Sequence, residues 1–129
     1  MKIIFNAWDL KYQEIMENVQ DRQSFTKYHY EETGEYLGFH AMLNNPLFVL
    51  IQYTGLRDKN NIKIFEADIL KVTKLNRHGK WYVVLAGGGF YCFKKGQGGC
   101  VDIFSLDVMD GDNLEIIGNI YQNKELIKE

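Results

Sequence analysis

Apolar positions in this chain fall in short stretches, many with a two-residue period, and none forms a long helical stripe. Ile3, Phe5 and Ala7 alternate with Lys2, Ile4 and Asn6, which predicts a strand over residues 2–8. Asp9-Leu10-Lys11 offers a turn. Residues 14–19 return as a second strand or as a short helix, since Ile15, Met16 and Val19 fit both spacings. Residues 20–45 carry no clean period; residues 20–36 are polar and read as irregular structure or an edge hairpin. Asn44-Asn45-Pro46 is a turn signal, and the proline biases Asn45 away from helix.

The apolar run over residues 47–53 has the length and β-branched content of a buried strand. A polar segment follows over residues 54–61. Its Gly, Asp and Asn residues accept turn dihedrals, so this stretch reads as a polar turn feeding the next strand and not as an active site. Residues 68–73 form that strand, with Leu70 and Val72 on one face and Lys71 and Thr73 on the other. Further short strands are predicted over residues 81–86, 90–94, 101–106 and 114–121. Gly87-Gly88-Gly89 forms a tight hairpin between the first two, Gly96–Gly99 marks a loop, and Asp110-Gly111-Asp112-Asn113 precedes the last strand. Residues 123–129 read as a short amphipathic helix or tail, with Leu126 and Ile127 able to pack down. Strands at this spacing suggest a small barrel or curled sheet. The long helices that parallel strands require between them are missing from the pattern.

A length of 129 residues suits one domain, and 46% hydrophobic residues supply a core without staples. Two cysteines are too few for a disulfide scaffold, residues 1–5 do not form a signal peptide, and no apolar run has the length of a membrane span. The expected setting is therefore the cytoplasm. Fifteen basic against seventeen acidic side chains give a net charge of −2, which lacks the basic excess common in nucleic-acid binders but leaves room for a basic face.

Candidate chemistry is sparse. Gly87–Gly89 leads into a strand pattern, whereas a phosphate loop opens a helix. Cys92, Cys100, His29, His40 and His78 lack the spacing of a zinc site, and Cys92 reads as a small core residue between aromatics. Ser24 and Ser105 lie in no nucleophile motif. Neither cofactor nor metal is expected. One cluster stands out: Lys71, Lys74, Arg77, His78 and Lys80, ending at Trp81 and Tyr82. On a small barrel, Lys71, Lys74, Arg77, Lys80 and Trp81 could make a basic rim for single-stranded nucleic acid. The plainer alternative is a polar hairpin tip beside buried aromatics.

Three segments, in order along the chain, resemble the YopX-like family of small phage and prophage proteins. The first is Lys2-Ile3-Ile4-Phe5-Asn6-Ala7-Trp8-Asp9, followed by Met16. The second is Gln52-Tyr53-Thr54-Gly55-Leu56-Arg57-Asp58-Lys59-Asn60, through Ile64-Phe65-Glu66-Ala67-Asp68-Ile69-Leu70. The third is Glu115-Ile116-Ile117-Gly118-Asn119-Ile120-Tyr121-Gln122-Asn123, then Glu125-Leu126. Two departures fall in the second block. Ile62 stands near a position where the family favours a turn glycine, and Ala67 replaces the glycine before Asp68, so the local backbone is expected to differ.

The resemblance implies an α+β, mostly β fold: an N-terminal strand and irregular region plus a small SH3-like β-barrel at the C-terminal end. The expected organisation is a single domain over residues 1–129, with an N-terminal subdomain at 1–52 and a barrel-like subdomain at 53–129. The resemblance brings no activity, cofactor or catalytic residue. The leading expectation is a non-enzymatic binding or self-assembling module in the bacterial host cytoplasm. Its partners would be copies of itself or a host or phage protein, with no membrane. The alternatives are a nucleic-acid-associated barrel and, behind it, a small enzyme with an unrecognised site.

Overall fold

The computed structural model describes residues 4–20, 46–74, 78–95 and 101–126. It divides into two compact units, Met1–Gln52 and Tyr53–Glu129. The expectations for residues 21–45, together with Arg77, Gly96–Gly99, Cys100 and Ile127, lie outside the described residues.

In the first unit, strand β1 (Phe5–Asp9) lies between β2 (Glu14–Met16) and the first half of β3 (Phe48–Arg57). Both ladders are antiparallel, with Ala7 opposite Met16 on one side and Leu50 on the other. Alternation places Ala7 and Met16 inward with Val19, and Phe5, Phe48 and Leu50 pack around them. The Asp9 carboxylate accepts the Lys11 and Tyr12 N–H groups at 2.9 and 3.1 Å, which makes the turn between β1 and β2. Within residues 14–19, Glu14–Met16 form a strand and the rest are not helical. Asn18 sits at φ 55°, where a right-handed helix cannot continue, and its N–H is taken by the Asn6 side chain at 3.0 Å.

Strand β3 runs on to Arg57, three residues past the predicted start of the turn. Two features keep this polar stretch in a ladder. The Thr54 hydroxyl donates to the Ile64 carbonyl at 2.7 Å and accepts the Leu56 N–H at 3.2 Å. Gly55, at φ 89°, forms a bulge between the Tyr53–Phe65 and Arg57–Lys63 pairs. The partner strand β4 (Lys63–Phe65) was not foreseen, because three residues are too few to show a period. Gly55→Val forces a β-branched residue into the left-handed region and is expected to cost about 1–3 kcal/mol. A thermal melt would show the midpoint falling by several degrees, and an unchanged midpoint would contradict the bulge.

The rest of the second unit is a five-stranded antiparallel sheet in the order β8-β7-β6-β5-β9. Its strands are β5 (Asp68–Val72), β6 (Gly79–Ala86), β7 (Gly89–Lys95), β8 (Val101–Ser105) and β9 (Leu114–Asn119). β6 and β7 meet through Gly87 and Gly88, both at positive φ, as a two-residue hairpin requires. A strand follows this turn, so the glycines do not open a phosphate-binding helix. The inner face carries Leu70, Val72, Trp81, Val83, Cys92, Phe104 and Leu114. Ile64, Leu106 and Met109 cover these from the connections.

The fold is mostly β, with one sheet curled as a half-barrel. The helical turns among the described residues, Leu106–Val108, Gly111–Asn113 and Lys124–Leu126, are 3₁₀. Among those residues, no helix is long and apolar enough to cross a membrane.

Candidate functional site

Strand alternation distributes the basic cluster unevenly. Lys71 on β5 lies opposite Lys80 on β6, and both are exposed on the outer face of the five-stranded sheet. Lys74 is exposed just beyond β5. Trp81 points the other way: it is 4% exposed and packs edge-on against Phe104, with ring centroids 4.7 Å apart. The Lys94 ammonium stands 5.4 Å from the Trp81 ring centroid. The indole is thus a core group, and the sheet turns its neighbour Tyr82 outward instead.

Tyr82 belongs to a row that the linear sequence conceals. The ladders align Ile69, Tyr82, Phe93 and Ile103 across β5, β6, β7 and β8 on the face opposite Trp81; the row is fully buried at Ile69 and opens toward Ile103, which is 50% exposed. Tyr82 and Phe93 are half-buried, with ring centroids 5.3 Å apart and planes tilted by 50°. Val84, Tyr91 and Ser105 form the next row, and Lys95 lies opposite Val101 on the other side. The available signal was the alternation of β6 and β7, which assigns Tyr82 to the face opposite Trp81. Pairing the two strands in register required the structure.

The segments that resemble the YopX-like family have a different job. Asp58 is 5% exposed, and its carboxylate is filled by backbone donors. Oδ1 accepts the Asn60 and Ile62 N–H groups at 2.9 and 3.0 Å; Oδ2 accepts the Ile116 N–H on β9 at 3.0 Å. The Lys59 N–H reaches the Leu114 carbonyl at 2.9 Å, and the Lys59 ammonium pairs with Glu115 at 3.3 Å. Burial pushes the Asp58 carboxyl pKa up, but the three N–H bonds and the Lys59 charge outweigh it and hold it below its ordinary 3.8.

Asn119 closes the third segment in the same manner. Its side-chain oxygen accepts the Tyr121 and Gln122 N–H groups at 3.0 and 2.9 Å, while Asn123 Oδ1 takes the Asn119 N–H at 3.1 Å. A Cβ on Gly118 would lie 2.5 Å from that Asn123 oxygen, so the glycine makes room for the clasp. These side chains tie turns to strands.

Further groups carry perturbed acidity, and burial raises the Tyr82 and Tyr121 phenols among them. Burial raises the Asp68 carboxyl to about 7, aided by the Asp58 charge and opposed by the Phe65 N–H bond at 2.8 Å. Burial likewise pushes the Cys92 thiol up to about 12, which makes it an inert core residue. Ala67, in place of the family's glycine, still holds φ 73°. Its N–H donates to the Val83 carbonyl and its carbonyl accepts the Ile120 N–H, at 2.8 and 2.9 Å. These two bonds hold the alanine in a conformation that disfavours it. Among the described residues, no group of three or more His, Cys, Asp or Glu side chains is placed to hold a metal.

Comparison with known proteins follows the same lines. Protein EF1440 from Enterococcus faecalis is similar over 99% of both chains, with 27% identity and a TM-score of 0.63. The yopX protein from Bacillus subtilis shares the fold over 97% of this chain and 98% of its own, with 16% identity and a TM-score of 0.58. No curated protein matches. The sequence matches the YopX protein family over residues 4–128, nearly its whole length, and the chain belongs to that family.

Proposed function

We propose that this protein is a non-enzymatic binding module that self-associates through the β8 edge of its five-stranded sheet. The observation that carries this reading is the edge strand itself. Among the described strands β8 has one ladder neighbour, β7, and it presents Val101 and Ile103 at 48% and 50% exposure. Proteins commonly blunt such edges with charge or proline, because an open apolar edge is a template for another strand; the one charge in β8, Asp102, lies opposite Lys94 on the other face from Val101 and Ile103. Val108, 61% exposed just beyond β8, extends the apolar surface. Pairing of two β8 edges about a two-fold axis would bury the same residues from both copies. A host or phage protein could add a strand at the same edge.

The setting we propose is the bacterial cytoplasm, with the gene carried by a phage or prophage. Support comes from the family resemblance, from the bacterial sources of the two solved relatives and from an unpaired, buried Cys92 thiol.

Size exclusion with light scattering provides the test. A dimer or larger species is expected, and a Val101→Lys/Ile103→Lys variant should shift to 15.1 kDa with its circular dichroism retained. A wild-type protein that stays at 15.1 kDa across a wide concentration range would overturn the assembly reading.

A further inference from the structure

We infer that the outer face of the five-stranded sheet is a binding platform for single-stranded nucleic acid, with bases on the Tyr82–Phe93 row and phosphates on the Lys71–Lys80 row. The argument starts from the arrangement of charge. Lys71 and Lys80 are directly opposite each other, an arrangement that destabilises a sheet through repulsion. Exposed Lys95 lies on the same face of β7, next to its edge with β8. None of the three lysines forms an ion pair among the described residues. Glu115, the other cross-strand neighbour of Lys71, is engaged by Lys59 at 3.3 Å. A sheet that sets two ammonium groups side by side, with no ion pair to either among the described residues, is prepared for an anion.

The aromatic row specifies which anion. Tyr82 follows Lys80 by two residues on the same face, and Phe93 precedes Lys95 by two. Side chains so related stand about 7 Å apart along a strand. Hence a row of cations runs beside a half-buried aromatic pair, Tyr82 and Phe93, with Tyr91 and Val84 continuing the apolar surface. Single strands are bound in this way: the backbone follows positive charge while successive bases stack on aromatics. A duplex keeps its bases stacked internally and offers nothing to these rings. The overall charge of −2 does not oppose the assignment, since screening confines the relevant field to roughly 10 Å.

This platform belongs to a single copy and does not depend on pairing at β8. The test is fluorescence anisotropy with a labelled mixed-sequence single strand of about 15 nucleotides and its duplex, at about 50 and 200 mM salt. Binding of the single strand is expected at low salt, with a steep loss at the higher salt and weaker binding of the duplex. Lys71→Glu/Lys80→Glu should abolish binding and Tyr82→Leu should weaken it roughly tenfold, while both stay folded by circular dichroism. Trp81→Phe, in the core, should leave affinity unchanged. No single-strand binding at low salt, equal affinity for the duplex, or undiminished binding by the lysine variant would each overturn the assignment. A monomer that binds would reject only the β8 pairing, and a dimer that fails to bind would reject only the platform.

Discussion

Asp58→Ala is expected to destabilise the protein by about 3–5 kcal/mol, the largest loss from any single substitution outside the hydrophobic core. Three backbone N–H groups, from Asn60, Ile62 and Ile116, converge on this carboxylate. Removing an acceptor strands each donor at about 1–3 kcal/mol, and water reaching the half-buried turn offsets part of the sum. Against a total stability of about 5–15 kcal/mol, such a loss is severe. Urea unfolding at neutral pH measures it directly. Asp58→Asn retains one carbonyl oxygen and should fall between the two. A loss under about 1 kcal/mol for alanine would show that the carboxylate is not what holds the turn on β9. The contribution also has a definite pH window. The folded carboxyl is more acidic than its ordinary 3.8, so its stabilisation is present above that pH and vanishes as pH falls through the folded value.

Asp68→Asn should act in the opposite sense and stabilise the protein at neutral and alkaline pH. The carboxyl has a pKa of about 7 in the folded chain and 3.8 ordinarily. Below about 4 the group is protonated in both states, and its burial carries no charge penalty. As pH rises toward 7 the unfolded chain releases a proton that the folded chain retains, so stability declines through that interval and stays reduced above it. The full difference corresponds to about 4 kcal/mol, and partial solvent access reduces the expected gain for asparagine to about 2 kcal/mol. The amide oxygen can still accept the Phe65 N–H. Denaturation series for both proteins from pH 4 to 8 should therefore converge at the acid end and separate with rising pH. Parallel curves would mean that Asp68 is ionised in the folded protein at the same pH as in the unfolded one.

Much of the fold was legible in the sequence for a simple reason. β5 alternates apolar and polar positions at Leu70–Val72, β6 to β9 are short runs rich in aromatic and β-branched residues, and Gly87-Gly88 and Asp110-Gly111-Asp112-Asn113 punctuate them with residues that tolerate turns. The continuation of β3 to Arg57 was not legible. Its Thr54 and Gly55 are turn-prone locally and are held in a ladder by the Thr54 bond to Ile64, ten residues on, and by the flanking Tyr53–Phe65 and Arg57–Lys63 pairs. Trp81 shows the same limit at the candidate site. Proximity in sequence grouped it with Lys80, but β alternation separates the two onto opposite faces, and pairing brings Phe93 to Tyr82. Register between strands is a tertiary property, and the platform is made of register.

The tie between Asp58 and Ile116 spans 58 residues of chain, and the β5–β9 ladder beside it is nearly as non-local. The meander of β6, β7 and β8 joins neighbours through short connections and can form early. Closing β9 onto β5 first requires that long intervening chain to be gathered, an entropic cost that precedes any reward from the Asp58 bonds. Folding of this unit is accordingly expected to run in two tempos, a fast local meander and a slower fastening of its ends. The Asp58 bond to Ile116 is expected to form after that closure, so its loss should speed unfolding more than it slows folding, while the local Asn60 and Ile62 bonds are free to form earlier.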